Sequence, residues 1–302
     1  MAKSLKPVEL FLAVGLTVTL GACGTPSPDG GEGGEASEPT TEQPAGEGGE
    51  GGEGGEGGEG GEAAEGGEGG EGGEGGEGGE GGEGGEGGEG ASTGNPDVDY
   101  MTALGLMKGH LLVAEELMAA GEYAAAEPHI GHPVDEIYGN IEGELEERDV
   151  SPFKAQLTEL HDLSKSAPED PATKEAFTEA MAEIDTAIAA IPEDQRTSPD
   201  FILPVINELL GTAAEEYEAS IADGKFVEVL EYQDSRGFVL YSEQLYGNIA
   251  EQMEAERPDD HAAIMESMEE LKTAWPSAQP PESPVKTPSE VLGLVSEIEL
   301  SS

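Results

Sequence analysis

Runs of Gly-Gly-Glu triplets fill most of residues 30–90, and they are broken only around Glu38-Pro39-Thr40-Thr41 and at Ala63-Ala64. Glycine adds backbone freedom that no apolar side chain here offsets, and a carboxylate at every third position repels its neighbours. The prolines that a collagen helix needs are missing, and glutamates separated by two glycines form no preformed cation cage. We therefore expect residues 23–96 to be a disordered acidic tether, which leaves residues 97–302 to fold.

The charge of the chain limits its partners. It carries 66 acidic against 13 basic side chains, a formal net charge of −53, and the 206 residues from 97 onward hold 45 of the acids and only 11 of the bases. Such a field repels phosphate backbones and anionic lipid headgroups, which excludes nucleic acid as a partner. Two explanations of the acidity stay open: a solvated surface suited to a saline environment, or a docking face for a cationic protein partner.

The N-terminus has the form of an export signal. Lys3 and Lys6 precede an apolar stretch that is too short for a confident spanning helix and ends in Leu20-Gly21-Ala22-Cys23. This ending resembles the lipobox of bacterial lipoproteins. The resemblance implies that residues 1–22 are a signal peptide and that Cys23 becomes lipidated, and two or three acyl chains hold a protein stably on a bilayer. An ordinary signal peptide or a short membrane anchor is the alternative.

The lipoprotein interpretation places the protein on the extracytoplasmic face of a bacterial membrane. If the cell has two membranes, the outer one is favoured, because Gly24 is not the aspartate that usually retains lipoproteins at the inner membrane. Cys23 is the only cysteine of the chain, so an intrachain disulfide and a thiolate metal site are both excluded.

Residues 97–302 predict an all-α domain, because apolar residues recur at spacings of three and four and no stretch alternates with a period of two. Prolines behind capping residues mark helix starts, and Thr287-Pro288-Ser289-Glu290 fits a capping box. Gly121 and Gly224 stand where helices should stop. The predicted helices are 97–120, 123–148, 152–166, 171–190, 199–222, 226–256, 259–274 and 288–298.

An internal repeat predicts how the helices are grouped. The sequence Tyr138-Gly139-Asn140-Ile141 recurs 108 residues later as Tyr246-Gly247-Asn248-Ile249, and the same offset relates Pro168 to Pro276. Each copy contains four predicted helices. We therefore expect a helical bundle domain built from two tandem four-helix repeats, residues 97–191 and 192–302.

The first repeat contains a candidate metal site. His129, His132 and Glu136 follow one another at spacings of three and four, so on a regular helix they share one face, and His110 on the preceding helix offers a further nitrogen. Imidazoles and a carboxylate in this arrangement suit a transition metal ion such as Fe, Cu or Zn. The second repeat has Gly237, Leu240, Gln244 and Ala213 at the corresponding positions, which favours a ligand role in the first. Histidines that lie at a helix boundary and bind no ligand are the alternative.

The hexapeptide Ile130-Gly131-His132-Pro133-Val134-Asp135 resembles the Gly-x-His-x-x-Glu motif of imelysin-like proteins, with Ile130 in place of the first glycine and Asp135 in place of the glutamate. Those proteins are extracytoplasmic, are linked to iron uptake and consist of two related four-helix bundles. The resemblance implies that His132 and Asp135 are metal ligands and leaves Glu136 one position out of register.

A second polar cluster comprises Glu231, Asp234 and Arg236. It is interpreted either as a clamp for an anionic ligand or as an ion pair that fixes a helix junction. His161 and His261 are expected at the surface. The sequence has no phosphate-binding loop, no nucleophile elbow and no haem-attachment motif, so we do not expect an enzyme.

These observations lead to two hypotheses of different classes. The first is a membrane-tethered lipoprotein whose helical domain binds a transition metal, and the second is a protein-interaction or scaffold module presented on the acidic tether. A metal site requires the side chain of His110 to face inward, within reach of His129 and His132. A scaffold predicts that these imidazoles lie apart.

Overall fold

The structure, a computed structural model, describes residues 92–302. The predicted signal peptide, the lipidation site Cys23 and nearly all of the predicted tether lie outside these residues. All three therefore remain predictions. None of the helices in residues 92–302 has both the length and the apolarity that a membrane-spanning helix requires.

The described chain is all-α except for one two-stranded hairpin, so the predicted fold class is confirmed. The N-terminal half consists of α1 Pro96–Ala119, α2 Tyr123–His132, a π-helical turn Pro133–Ile137, α3 Tyr138–Glu147, α4 Lys154–Ser166 and α5 Pro171–Ile188. The short helix α6 Glu193–Arg196 leads into the C-terminal half, which consists of α7 Pro199–Ala219, β1 Ile221–Ala222, β2 Lys225–Phe226, α8 Val229–Gly247, α9 Ala250–Glu256, α10 Pro258–Lys272 and α11 Pro288–Leu300.

Local sequence sets the helix ends. The side chain of Asn95 accepts a hydrogen bond from the backbone N–H of Asp97 and caps α1, whose first residue is Pro96. The predicted capping box between Thr287 and Glu290 is confirmed, because each side chain bonds the backbone N–H of the other residue. Gly121, with a φ of 81°, follows the end of α1 in the left-handed conformation that glycine favours.

Each half of the domain packs four helices together, and the halves meet where α1 contacts α7 and α8 and where α2 contacts α8. In the first half α1 contacts α2 and α5, and α4 contacts the same two helices; in the second half α7 contacts α8 and α11, and α10 contacts α11. Helix α1 also packs against α7 and α8, so one continuous core runs through both halves. The division into two tandem four-helix repeats remains a prediction.

The repeated tetrapeptide has the same structural task in both halves. The buried Tyr138 hydroxyl accepts a hydrogen bond from the backbone N–H of Phe153, just before α4 begins. The buried Tyr246 hydroxyl bonds His261 Nδ1 near the start of α10. Each tyrosine therefore ties its own helix to the start of a later helix of the same half.

The structure corrects the predicted helices 199–222 and 226–256. Helix α7 ends at Ala219, and a hairpin pairs Ile221 with Phe226 and Ala222 with Lys225. Asp223 and Gly224 form its two-residue turn with φ values of 52° and 73°, as expected for an Asp-Gly turn between paired strands. Helix α8 begins only at Val229, and the predicted 226–256 helix is divided into α8 and α9.

Residues 273–287, called the connecting segment below, join α10 to α11 without regular secondary structure and lie along α8. Side chains hold the segment by its main-chain carbonyl groups: Tyr232 donates to Ser277 O, Gln233 to Ala278 O, Arg236 to Trp275 O, and Tyr217 to Lys286 O. The indole Nε1 of the buried Trp275 donates to Ser235 Oγ at 2.7 Å. This segment therefore has a fixed position on the helix that carries Asp234.

Candidate metal centre

Three histidines and one aspartate from three helices converge inside the domain. His110 comes from α1, His129 and His132 from α2, and Asp234 from α8, and one potential ligand atom of each lies within 4.8 Å of all the others. The structure thus brings together three of the five residues that the sequence predicted as ligands, and adds Asp234 from the second half.

The Nδ1 atoms of the histidines face the aspartate. His110 Nδ1 and His129 Nδ1 each lie 2.6 Å from Asp234 Oδ1, and His132 Nδ1 lies 3.5 Å from Asp234 Oδ2 and 3.4 Å from His110 Nδ1. His129 is 0 % exposed and Asp234 is 2 % exposed, so hydrogen bonds within the group replace those that water would provide. His132 is the partly exposed member of the group.

A close helix crossing brings His110 to Asp234. Gly109 of α1 faces Gly237 of α8, and a β-carbon on either glycine would collide with the opposite helix. Because neither glycine has a side chain, α1 and α8 approach closely, and His110, which follows Gly109, lies beside Asp234. The ring of Phe238 covers His110 edge-on at a centroid distance of 4.9 Å.

The π-helical turn Pro133–Ile137 directly follows His132 and connects α2 to α3. Such turns insert one residue into a helix and occur frequently at functional sites. Pro133 has no backbone N–H to continue the regular hydrogen-bond pattern, which accounts for the irregularity at this position. The regular-helix spacing assumed for Glu136 therefore does not hold.

The two predicted carboxylate ligands of the first half lie outside the group. Glu136 Oε1 is 3.6 Å from His132 Nε2, the ring nitrogen that does not face Asp234, and the side chain of Asp135 is 62 % exposed with Oδ2 3.5 Å from His161 Nδ1. The geometry gives Glu136 the position of a residue that orients His132, because a carboxylate on the second nitrogen of a ligating histidine fixes its ring.

Glu231, Asp234 and Arg236 do not form one cluster in the structure, and the contacts of Arg236 favour the second of the two interpretations, an ion pair that fixes a helix junction. Arg236 Nε lies 2.8 Å from Glu116 Oε2, and its Nη1 donates to Trp275 O at 2.6 Å, so its donors are already used. On a helix the spacing of three keeps Glu231 and Asp234 near one face, whereas the spacing of two turns Arg236 away from Asp234. Glu231 instead bonds the side chain of Glu216.

His161 and His261 are not free surface histidines, which corrects the prediction. His161 is 8 % exposed and its Nε2 lies 2.8 Å from Glu127 Oε1, while His261 bonds Tyr246. Gly131 makes room for the His161 ring, because a β-carbon there would stand 2.7 Å from it. Both imidazoles have partners outside the His110–His129–His132–Asp234 group.

The charges within the group stabilise one another. Burial alone would raise the pKa of Asp234, but the neighbouring His110 and His129 hold that pKa well below its usual range. Burial alone would lower the pKa of His129, but the charge of Asp234 and hydrogen bonds from Asp234 and Gln233 raise it above 6.5. Asp234 is therefore ionised, and its charge favours the protonated form of His129.

His132 has the opposite electrostatics. Burial and the positive charge of His110 lower the pKa of His132 to about 4. The ring is therefore neutral at physiological pH and has a lone pair to offer, which is the form a metal requires.

Asp234 and its neighbour Gln233 were not recognised as parts of this site from the sequence. Both lie in a run of polar residues, Gln233-Asp234-Ser235-Arg236, inside a long helix, and the first three of them are fully buried. A run of polar residues within a predicted core helix is the sequence feature that could have indicated a buried polar site here. The position equivalent to His129 in the second predicted repeat is Gly237, not Asp234, so a comparison of equivalent positions does not pair Asp234 with the histidines.

Comparison with known proteins gives one match. Residues 192–302 match the family model of the iron permease-associated 4-helix bundle domain. No curated protein and no solved structure matches the chain. The match supports an iron-related helical domain in the half that contributes Asp234.

Proposed function

We propose that the protein binds one divalent transition metal ion, with iron as the favoured metal, through His110, His129, His132 and Asp234. One observation carries this proposal: four ligand atoms from three helices lie within 4.8 Å of one another in the interior of the domain. Three imidazole nitrogens and one carboxylate oxygen form a donor set that suits Fe, Zn, Cu or Mn rather than Ca or Mg.

Iron is favoured by the family match, because the matched residues include Asp234. The donor set alone does not select iron, since Cu²⁺ and Zn²⁺ bind most nitrogen sites more tightly than Fe²⁺. In this proposal, supply of the metal and the shape of the site decide which ion is bound.

Proton release accompanies metal binding in this proposal. A metal ion needs a lone pair from each imidazole, so the protons that His110 and His129 direct at Asp234 Oδ1 must both leave their Nδ1 atoms. The ion then takes over the interaction with Asp234 that these protons made. Exchange of a cation for these protons keeps the buried carboxylate paired in both states, which avoids the cost of an isolated buried charge.

The role is one of binding rather than catalysis, on the extracytoplasmic face of a bacterial membrane, where lipidated Cys23 and the acidic tether would hold the domain. The convergence of His110 with His129 and His132 supports this hypothesis over the scaffold hypothesis, which expects the imidazoles apart. A protein partner that delivers or receives the metal is compatible with the proposal.

The test is elemental analysis of the full chain, purified without a histidine tag and equilibrated in turn with Fe²⁺ under anaerobic conditions, Cu²⁺, Zn²⁺ and Mn²⁺. Three proteins are compared after desalting: the wild type, the double variant His129→Ala/His132→Ala, and the matched control His261→Ala. His261→Ala removes an imidazole that bonds only Tyr246 among the contacts described above.

We expect stoichiometric metal in the wild type and in His261→Ala, and its loss in the double variant. Equal binding by all three proteins would mean that the many surface and tether carboxylates take up the metal, and would overturn the proposal.

A further inference from the structure

Gln233 is buried next to Asp234 on α8 and contacts the Nε2 side of the His129 ring, whereas Asp234 contacts its Nδ1 side. Its side chain is 2 % exposed, its Oε1 lies 2.9 Å from His129 Nε2, and its Nε2 donates to Ala278 O of the connecting segment at 3.1 Å. Consecutive residues of α8 therefore hold both nitrogens of one ring: Asp234 bonds Nδ1 of His129, and Gln233 faces Nε2.

The hydrogen-bond capacities of these groups determine where the protons are. A carbonyl oxygen only accepts, so the group of Gln233 that faces Ala278 O must be the amide NH₂. The oxygen of the same amide then faces His129, and because it also only accepts, His129 Nε2 must carry a proton. His129 is fully buried, so no exposed water competes for this nitrogen.

We propose that Gln233 is a positioning residue that keeps the proton of His129 on Nε2 and so directs the Nδ1 lone pair of the ring toward the metal. This inference rests on the function proposed above and adds which nitrogen of His129 binds. When the ion enters, the Nδ1 proton goes to solvent, the Nε2 proton stays in its hydrogen bond with Gln233, and no other bond of the ring changes.

The arrangement is specific to His129. His132 has Glu136 at its second nitrogen, 3.6 Å away and partly exposed, where water can replace it. For His129 the partner is a neutral amide whose other end is fixed by the connecting segment, so the ring cannot turn over without breaking two buried hydrogen bonds. A partner of this kind on the second nitrogen typically changes metal affinity by about 10- to 100-fold.

The first measurement is nitrogen NMR of the full chain labelled with ¹⁵N-histidine, with Zn²⁺ as a diamagnetic probe. In the zinc-bound wild type we expect His129 to have a protonated Nε2 and a metal-bound Nδ1. A spectrum in which Nε2 binds zinc or in which Nδ1 is protonated would overturn the inference. This readout needs no variant, so it decides the question even if substitutions of Gln233 impair folding.

The second measurement compares zinc affinities of three variants. Gln233→Leu removes the acceptor and should weaken zinc binding by about 10- to 100-fold with unchanged stoichiometry. Gln233→Glu keeps an acceptor oxygen next to Nε2 while losing the donor to Ala278 O, and should retain a protonated Nε2 of His129 in the zinc-bound spectrum. Tyr232→Phe is the matched control, because it removes the hydrogen bond of the adjacent residue to Ser277 O of the same segment and leaves His129 untouched.

Unchanged affinity in Gln233→Leu would overturn the inference, and so would an equal loss in Tyr232→Phe, since the cause would then be detachment of the connecting segment. A wild type that binds no zinc overturns the proposed function itself. A wild type that binds zinc through Nε2 of His129 overturns only the role of Gln233. The two failures are thereby distinguished.

Discussion

A β-carbon on Gly237 would stand 2.8 Å from the carbonyl carbon of Gly109 and nearer still to the carbonyl oxygen, because α1 and α8 cross there with almost no space between their backbones. Gly237→Ala should force these helices apart and separate His110 from Asp234. We expect a loss of about 1–3 kcal/mol in the free energy of unfolding, which is typical of overpacking. Zinc affinity should fall by at least tenfold, as measured by competition with a chelator.

Gly143→Ala is the control for this substitution. Gly143 lies on an exposed face inside α3, and a β-carbon there meets nothing within 4 Å. The same chemical change should raise the free energy of unfolding by about 0.5–1 kcal/mol, since alanine favours the helix, and should leave metal affinity unchanged. If both variants bind metal equally well, close contact at Gly237 is not needed for the site.

Asp234→Asn should abolish tight metal binding and destabilise the domain. The raised pKa of His129 depends on Asp234, so its contribution to stability is present below pH 6.5 and is lost as the pH rises through the raised value. Below pH 6.5 we expect a loss of about 3 kcal/mol, because the protonated ring loses its buried partner. Urea denaturation below and above the titration of His129 measures the difference.

Asp162→Asn, which removes an exposed carboxylate from α4, serves as the control. It should change neither metal affinity nor the free energy of unfolding. A penalty for Asp234→Asn that is the same at both pH values would contradict the pairing with a protonated His129.

Metal affinity should fall as the pH falls. The ion competes with the proton on His129, whose pKa lies above 6.5, since the charge and hydrogen bonds of Asp234 outweigh the effect of burial. Below that pKa each ion bound displaces a proton from this ring, and affinity should drop by about tenfold per pH unit. His132 contributes to the pH dependence of metal affinity only near its own pKa of about 4, because burial and the charge of His110 lower that pKa.

Titrations with Zn²⁺ against a chelator of known pH dependence, at about pH 6 and about pH 8, measure this slope. An affinity that does not change between the two would contradict the competition with His129 and would indicate that the ring is already neutral in the metal-free protein.

Arg236→Lys should affect stability and spare metal binding. The guanidinium bonds both carboxylate oxygens of Glu116 and the carbonyl of Trp275, whereas an ammonium group cannot make this set of bonds in the same plane. Because the pair is partly exposed, we expect a loss of only about 1 kcal/mol in the free energy of unfolding. Weaker zinc binding in this variant would give Arg236 a role at the site that its contacts do not support.

Regular features of the domain were readable from the sequence because they depend on local rules. The cap of Thr287 with Glu290 and the stop at Gly121 involve residues within one helical turn, and both are found as predicted. The Asp223-Gly224 turn also follows a local rule, but the apolar spacing around it was given more weight, and the hairpin was missed.

One of the four grouped residues, Asp234, depends on long-range geometry and was not predicted as a ligand from the sequence. The spacing of His129 and His132 indicated that they share a face, and the structure places them there with His110. Asp234 lies 105 residues from His129, and its place beside the histidines is fixed by the crossing of α1 and α8, which no sequence period reveals. Glu136 was taken as a ligand because a regular helix was assumed, and the π-helical turn after His132 changes its direction.

Side chains of α7 and α8 bond the connecting segment through main-chain carbonyl groups, those of Trp275, Ser277, Ala278 and Lys286. A carbonyl group is present whatever side chain a residue carries. Substitutions at the exposed Ser277 can therefore accumulate during evolution without loss of the anchoring bond, whereas Tyr232 and Gln233, which donate to the segment, must be kept. Among related chains we expect the exposed positions of the segment to vary over an unchanging stretch of α8, with Ala274, Trp275 and Ala278 retained because their side chains are buried.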